Sequence, residues 1–199
     1  KECGADIAKF QNYFTQTRAK ENSPIYEILD QCELNSDQFF ELKNFCDELN
    51  IEFASTPFCE KSSELLDELK CSTIKIASFH LSHQNLIKKI LKFKSCNKLI
   101  LSTGVSSSTQ LIYVNNLYDE MEQVKPEIAF LHCISEYPIS NPSNFHLSNI
   151  QHIARITNKE VGFSDHSLGS HAAVYSMLLG ATIIEKHFTL DNNLPGADH

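Results

Sequence analysis

The sequence predicts an α/β protein of parallel strands, read as an incomplete (β/α)8 TIM barrel in which strands two to eight are present and the first strand is missing. Three observations carry this reading. Short β-rich runs alternate with amphipathic helical segments across all 199 residues, and strict alternation implies parallel strands joined by right-handed crossovers. The runs recur about 20–30 residues apart with no sign of a second domain, which favours a barrel over the other alternating architecture, a doubly wound sheet. Each run also closes on polar residues, as barrel strands do where they feed an active site.

The opening KECGAD reads as the last turn of a helix with Gly4 in the terminating position. Strands are expected at 6–11 (DIAKFQ), 51–56 (IEFAST), 73–78 (TIKIAS), 98–103 (KLILST), 127–133 (EIAFLHC), 160–164 (EVGFS) and 181–187 (ATIIEKH). Between them, Asn35 and Ser36 supply N-caps for a helix that aligns Phe39, Leu42, Cys46 and Leu49 on one face. Leu86, Ile87, Ile90 and Leu91 form a second apolar stripe, and Leu147, Ile150 and Ile153 a third. The helix tail before the first visible strand implies a preceding strand and helix, and the chain stops on His199 in a polar Pro-Gly loop. Both ends therefore read as cut from a longer protein.

Composition narrows the partners. The net charge is −8, and the chain has only two arginines, Arg18 and Arg155. No basic run offers a phosphate-backbone track, so nucleic acid is not an expected partner. A phosphorylated metabolite would have to be held mainly by lysines, hydroxyls and backbone N–H groups. Seven scattered cysteines without a CxxC pair suggest neither a disulfide framework nor a zinc knuckle, and point to a reducing cytoplasm. No apolar run is long enough for a membrane span, so no membrane partner is expected.

The polar strand ends are Lys9 and Gln11; Ser55 and Thr56; Lys75 and Ser78; Ser102 and Thr103; His132 and Ser135; Ser164, Asp165 and His166; Glu185 and His187. Glu185 and His187 are two apart and share one side of their strand, while Lys186 takes the other. A single strand-end histidine is more often a hydrogen-bonded structural residue, the expectation for His132 and His152. His166 and His187 end consecutive strands, where neutral imidazoles can reach one divalent ion; a structural pair is the equal alternative. The hydroxyls could cap the following helices. A lysine within a strand is costly to bury without an anion, so Lys9 and Lys75 argue for a bound anion or a carboxylate such as Glu185.

The stretches VGFSDHSLG (161–169) and GATIIEKHFTLDNNLPGADH (180–199) resemble the N-acetylneuraminate (sialic acid) synthase family, which includes legionaminic and pseudaminic acid synthases. The resemblance continues, in order, through YEILDQCELN (26–35), FASTPF (53–58), KIAS (75–78), LILSTG (99–104) and LHCISEYP (131–138). It implies a barrel that condenses phosphoenolpyruvate with an N-acetylmannosamine-type sugar to give a nine-carbon nonulosonic acid and phosphate. The implied cofactor is a divalent metal, Mn2+, with Mg2+ or Co2+ as alternatives. Phosphoenolpyruvate would be held by Lys9, Thr56, Lys75, Ser78, Ser102, Ser135 and Ser164, with His166 and His187 as metal ligands. The sugar would meet Gln11, Tyr137 and Asp198, and Glu185 would orient groups or handle a proton near the metal. Of these, Lys75, Glu185 and Tyr137 are the residues implied for catalysis.

The ending LPGADH looks more like the neuraminic and legionaminic branches than the pseudaminic one. Where the family usually carries an acidic residue and an Asn after KIAS, this chain has His80 and His83. The family's first strand and its C-terminal antifreeze-like domain are expected to be absent, which makes residues 1–199 a partial catalytic domain that is inactive or nearly so as it stands. The resemblance also implies a homodimer at full length. Two other readings are another phosphoenolpyruvate aldol synthase on the same barrel, against which the scarcity of arginine speaks, and a catalytically inactive barrel that serves as a binding module.

Overall fold

The computed structural model describes residues 1–122 and 124–194. Seven strands run β1 (Ile7–Asn12), β2 (Glu52–Pro57), β3 (Thr73–Ile76), β4 (Lys98–Ser102), β5 (Glu127–Cys133), β6 (Glu160–Asp165) and β7 (Ile183–Lys186). Eight α-helices intervene among the described residues: α1 (Thr15–Arg18), α2 (Tyr26–Cys32), α3 (Ser36–Glu48), α4 (Glu60–Glu68), α5 (Gln84–Ile90), α6 (Ser108–Asp119), α7 (Asn149–Thr157) and α8 (His171–Leu178). The strands are ordered β1 to β7 in their sheet, and the pairs β1–β2, β2–β3, β5–β6 and β6–β7 are parallel. A doubly wound sheet reverses its strand order at a switch point; an order that follows the chain excludes that alternative.

All seven expected strands are present, most with an end shifted by one or two residues. β3 stops at Ile76, and Ser78 begins a short 3-10 turn. β7 stops at Lys186, so His187 lies one residue beyond its strand. The expected helix caps also form: Asn35 accepts from the Gln38 N–H at 3.0 Å while Gln38 Oε1 accepts from the Asn35 N–H at 2.9 Å, a reciprocal box at the start of α3.

Two compact units divide the chain, the first made of Lys1–Ile76, His83–Leu99 and Val124–Glu127, the second of the remaining described residues. In the first, Ala8 pairs with Phe53 and Phe10 with Ser55. Phe53 stacks on Phe10 at 5.3 Å and meets Phe39 of α3 edge to face at 6.5 Å, so this side of β1 and β2 is the packing side. Phe39 and Cys46 are buried as expected, whereas Leu49 is exposed beyond the last turn of α3. In the second unit His132 and Phe163 stack at 5.7 Å on one side of β5 and β6, in the register that pairs them. Gly162 sits on the other side, where a Cβ would come within 2.6 Å of a Leu131 methyl and collide with the Ile183 carbonyl. Only glycine permits so close an approach of β7 to β6.

Candidate active site

Strand alternation sorts the polar residues. In the first unit Lys9 pairs with Ala54 and Gln11 with Thr56, on the side opposite the phenylalanines. Ser55 pairs with Ile74, so the same register sets Lys75 of β3 beside Thr56. Gln11, Thr56 and Lys75 thus form one row across three strands. Thr56 is buried and its hydroxyl has no hydrogen-bond partner among the described residues, an arrangement that a bound polar group would relieve. Lys75 is 5% exposed. Lys9, one pair earlier on the same side, is exposed.

The second unit has two rows. Cys133, Ser164 and Glu185 are paired across β5, β6 and β7, and Ser135, His166 and His187 follow two residues further along each segment. Ser164 Oγ donates to Glu185 Oε1 at 2.6 Å. His166 Nδ1 lies 2.6 Å from the Ile134 carbonyl and therefore carries the proton, which leaves Nε2 as the basic nitrogen. The His166 and His187 rings are 5.5 Å apart, edge to face. Tyr137 stacks on His166 at 4.0 Å and lies 5.7 Å from His187.

The segment carrying Tyr137 is tied to this place at both ends. Ile134 accepts from the His166 ring and the Ile139 N–H donates to the His166 carbonyl at 3.0 Å. Glu136 accepts from the Asn144 amide at 3.2 Å, and that bond, with those from Ser140, holds its carboxyl below the usual range.

On the other side of β6 and β7, Lys186 donates to Asp165 Oδ2 at 3.0 Å and to the Ser167 carbonyl at 2.6 Å. The fully buried Asp165 also accepts from the Ser167 N–H and hydroxyl at 2.9 and 2.6 Å. The ionisable run of β7 is thereby explained. Glu185 faces the serine and histidine rows, and Lys186 neutralises a buried carboxylate on the packing side.

A third cluster in this unit gathers around Gly104. Its N–H donates to Ser78 Oγ at 3.0 Å. A Cβ there would lie 2.8 Å from Ser135 Oγ and 3.0 Å from both Ser78 Oγ and Cys133 Sγ. Buried Ser102, two residues earlier, has a hydroxyl without a hydrogen-bond partner among the described residues. This hydroxyl-rich cradle suits an anion held without arginine. The crowding at Gly104 and Cys133 and the pairing of Asp165 escaped the sequence reading; the STG run at the end of the fourth strand was the one visible trace of the first.

His83 Nε2 lies 3.9 Å from Glu60 Oε1, and His80 packs on Phe79 with ring centres 4.5 Å apart. His132 is buried with Nε2 2.8 Å from the Phe145 carbonyl, which bears out its structural reading. Asp198, expected to meet the sugar, lies outside the described residues. Among the described residues no group of three His, Cys, Asp or Glu side chains is drawn together as a metal cage. The donor set at His166 and His187 fits instead a divalent cation with two imidazole ligands that takes its other ligands from water and substrate. No helix among the described residues is long and apolar enough to cross a membrane.

The chain has relatives among known proteins. The chain is 38% identical over 203 residues to an uncharacterized protein of Methanocaldococcus jannaschii. It is 36% identical over 200 residues to the N,N'-diacetyllegionaminic acid synthase of Campylobacter jejuni. All of this chain is covered in both cases, and it spans 58% of the length of each relative. The crystal structure of the N-acetylneuraminic acid (sialic acid) synthetase of Leptospira borgpetersenii, solved with citrate, matches at a TM-score of 0.90 and 31% identity, covering 99% of this chain and 67% of that one. Residues 1–199 match the NeuB family throughout, and the chain belongs to that family.

Proposed function

We propose that the chain is the larger part of the catalytic (β/α)8 barrel, strands two to eight, of a nonulosonic acid synthase. The enzyme condenses phosphoenolpyruvate with an N-acetylmannosamine-type sugar and releases a nine-carbon keto acid, N-acetylneuraminate or legionaminate, and phosphate. The observation that carries the reading is the pair of rows in the second unit, with Ser164 bonded to Glu185 and His166 beside His187. Two imidazoles, a carboxylate and a hydroxyl suit carbon–carbon bond formation at an aldehyde better than they suit a structural core.

In this reading Lys75 and Lys9 neutralise the carboxylate and phosphate of phosphoenolpyruvate. Thr56 and Ser102 give it hydroxyl donors, and so do Ser78, Ser135 and Ser164. The orphaned hydroxyls of Thr56 and Ser102 support that role. His166 and His187 would hold the divalent cation, Mn2+ or in its place Mg2+ or Co2+, and what it supplies when bound is polarisation of the sugar aldehyde. Gln11, Tyr137 and Asp198 position the sugar. Glu185, its oxygen already accepting the Ser164 proton, holds or moves a proton as the new alkoxide forms and as water adds.

The test is made on the full-length protein. It is incubated with phosphoenolpyruvate, manganese and a panel of N-acetylmannosamine-type sugars, and the products are read by mass spectrometry. A nine-carbon keto acid with stoichiometric phosphate release is expected. A folded protein that makes none from any member of the panel overturns the synthase reading in favour of an inactive barrel or a different aldehyde.

A further inference from the structure

Tyr137 reaches the imidazole pair from a loop and not from a strand. Its ring is 54% exposed, so burial alone does not fix it where it stacks on His166 at 4.0 Å and stands 5.7 Å from His187. The course of the loop between β5 and α7 does. Two residues on, buried Ile139 forms an isolated parallel bridge with Ser167 and donates its N–H to the His166 carbonyl at 3.0 Å. One residue before, Glu136 ties the loop across its base.

Glu136 Oε1 accepts from the Ser140 N–H at 3.3 Å and from the Ser140 hydroxyl at 3.2 Å, while Oε2 accepts from the Asn144 amide at 3.2 Å. One carboxylate therefore closes spans of four and eight residues, and Tyr137 lies inside both. The bonds hold the carboxyl ionised, the Asn144 amide first and Ser140 after it, and an ionised acceptor makes the stronger bond. The far anchor is itself held. Asn144 sits in the 3-10 turn Pro142–Phe145, which Asn141 caps by accepting from the Ser143 N–H and hydroxyl at 3.0 and 2.8 Å. The Phe145 carbonyl that ends the turn lies 2.8 Å from Nε2 of buried His132, which carries the proton because a carbonyl only accepts. Contacts thus run from β5 through the turn to Glu136, and from there to the ring above His166.

We propose that Glu136 is a positioning residue for the acceptor sugar, acting by setting Tyr137 over the His166 and His187 pair. The inference rests on the synthase reading, which gives Tyr137 its sugar. It commits to one substrate: phosphoenolpyruvate is held, in that reading, by lysines and hydroxyls of which all but Ser135 lie outside the braced loop. A brace that served folding alone would show no preference between the two substrates.

The experiment measures kcat and both KM values of the full-length enzyme with N-acetylmannosamine, phosphoenolpyruvate and manganese. Glu136→Ala should raise the KM for the sugar by about 10-fold or more, since a misplacement of about 1 Å can cost about 100-fold. The KM for phosphoenolpyruvate and the melting temperature should stay as in wild type. Glu136→Gln keeps an oxygen for Ser140 and can pair with a turned Asn144 amide, so it should restore most of the affinity. Asn144→Ala should raise the same KM, and the double variant should match Glu136→Ala, because the two side chains share one bond. The His166 ring protons, shielded by the face of Tyr137, report the placement without turnover. In the metal-free protein their NMR shifts should move downfield in Tyr137→Leu and Glu136→Ala alike and hold in Glu136→Gln. A Glu136→Ala enzyme in which both KM values rise equally, or neither rises, overturns the proposal. So does a His166 signal that responds to Tyr137→Leu but not to Glu136→Ala. A wild type that makes no product removes the synthase reading, and the acceptor role of the brace falls with it; the His166 signal then still tells whether Glu136 places Tyr137.

Discussion

Ser164 on β6 donates its hydroxyl proton to Glu185 on β7 at 2.6 Å, so the carboxylate of the last strand is oriented by its neighbour before any substrate arrives. If Glu185 handles a proton during turnover, Glu185→Gln keeps its shape and the serine's acceptor but removes the basic site. The kcat of the full-length enzyme should fall by about 10²- to 10⁴-fold with an unchanged melting temperature. Near-normal turnover in that variant would assign Glu185 a purely structural part.

The imidazole pair gives a second prediction. His166→Ala and His187→Ala should each weaken manganese binding to the full-length protein, measured by calorimetry, by more than about 100-fold, since even outer partners of metal ligands are worth 10- to 100-fold. Unchanged binding in both variants would remove the metal from this site.

Asp165 accepts three hydrogen bonds where no solvent reaches it. Asp165→Ala strands the Lys186 ammonium and the Ser167 donors, and should cost about 3 kcal/mol in urea unfolding. Lys186→Met should cost less, because the Ser167 donors remain on the carboxylate. Equal and small effects would mean that the pair is held too loosely to matter.

Gly162→Ala should be more damaging than its single methyl suggests. The clash is with the backbone carbonyl of Ile183 and a Leu131 methyl, and backbone cannot rotate away. About 3 kcal/mol is expected, at the upper end of overpacking costs, read as a fall in urea midpoint. A loss below about 1 kcal/mol would show that β6 and β7 separate easily.

His132 supplies a pH dependence. Burial is the main cause that lowers its pKa below 6.5, opposed by its bond to the Phe145 carbonyl. The folded state then binds the proton less readily than the unfolded state, so stability is unaffected above about pH 6.5 and declines as the pH drops below it. The urea midpoint of wild type should fall between pH 7.5 and 5.5 more steeply than that of His132→Gln. Parallel curves would locate the acid sensitivity elsewhere.

Much of this was readable from the chain itself. Each strand announces itself as a compact apolar run, and alternation alone separates Glu185 and His187 from Lys186. Asp165 as the partner of Lys186 was not readable, because neither strand's own sequence gives the register in which the two pair. The crowding around Gly104 is likewise a product of three separate segments meeting, and only the STG run hinted at it.

The neighbouring residues Glu185 and Lys186 each hold a partner on β6, one on either side of the strand pair. Sliding β7 by a single residue would turn the ammonium toward Ser164 and thrust the carboxylate against buried Asp165, breaking both bonds and setting like charges together. The two contacts thus proofread the alignment of the last strand. The residue that prepares the chemistry and the residue that guards the assembly are adjacent, so any misthreaded copy is penalised before it can present a half-formed site.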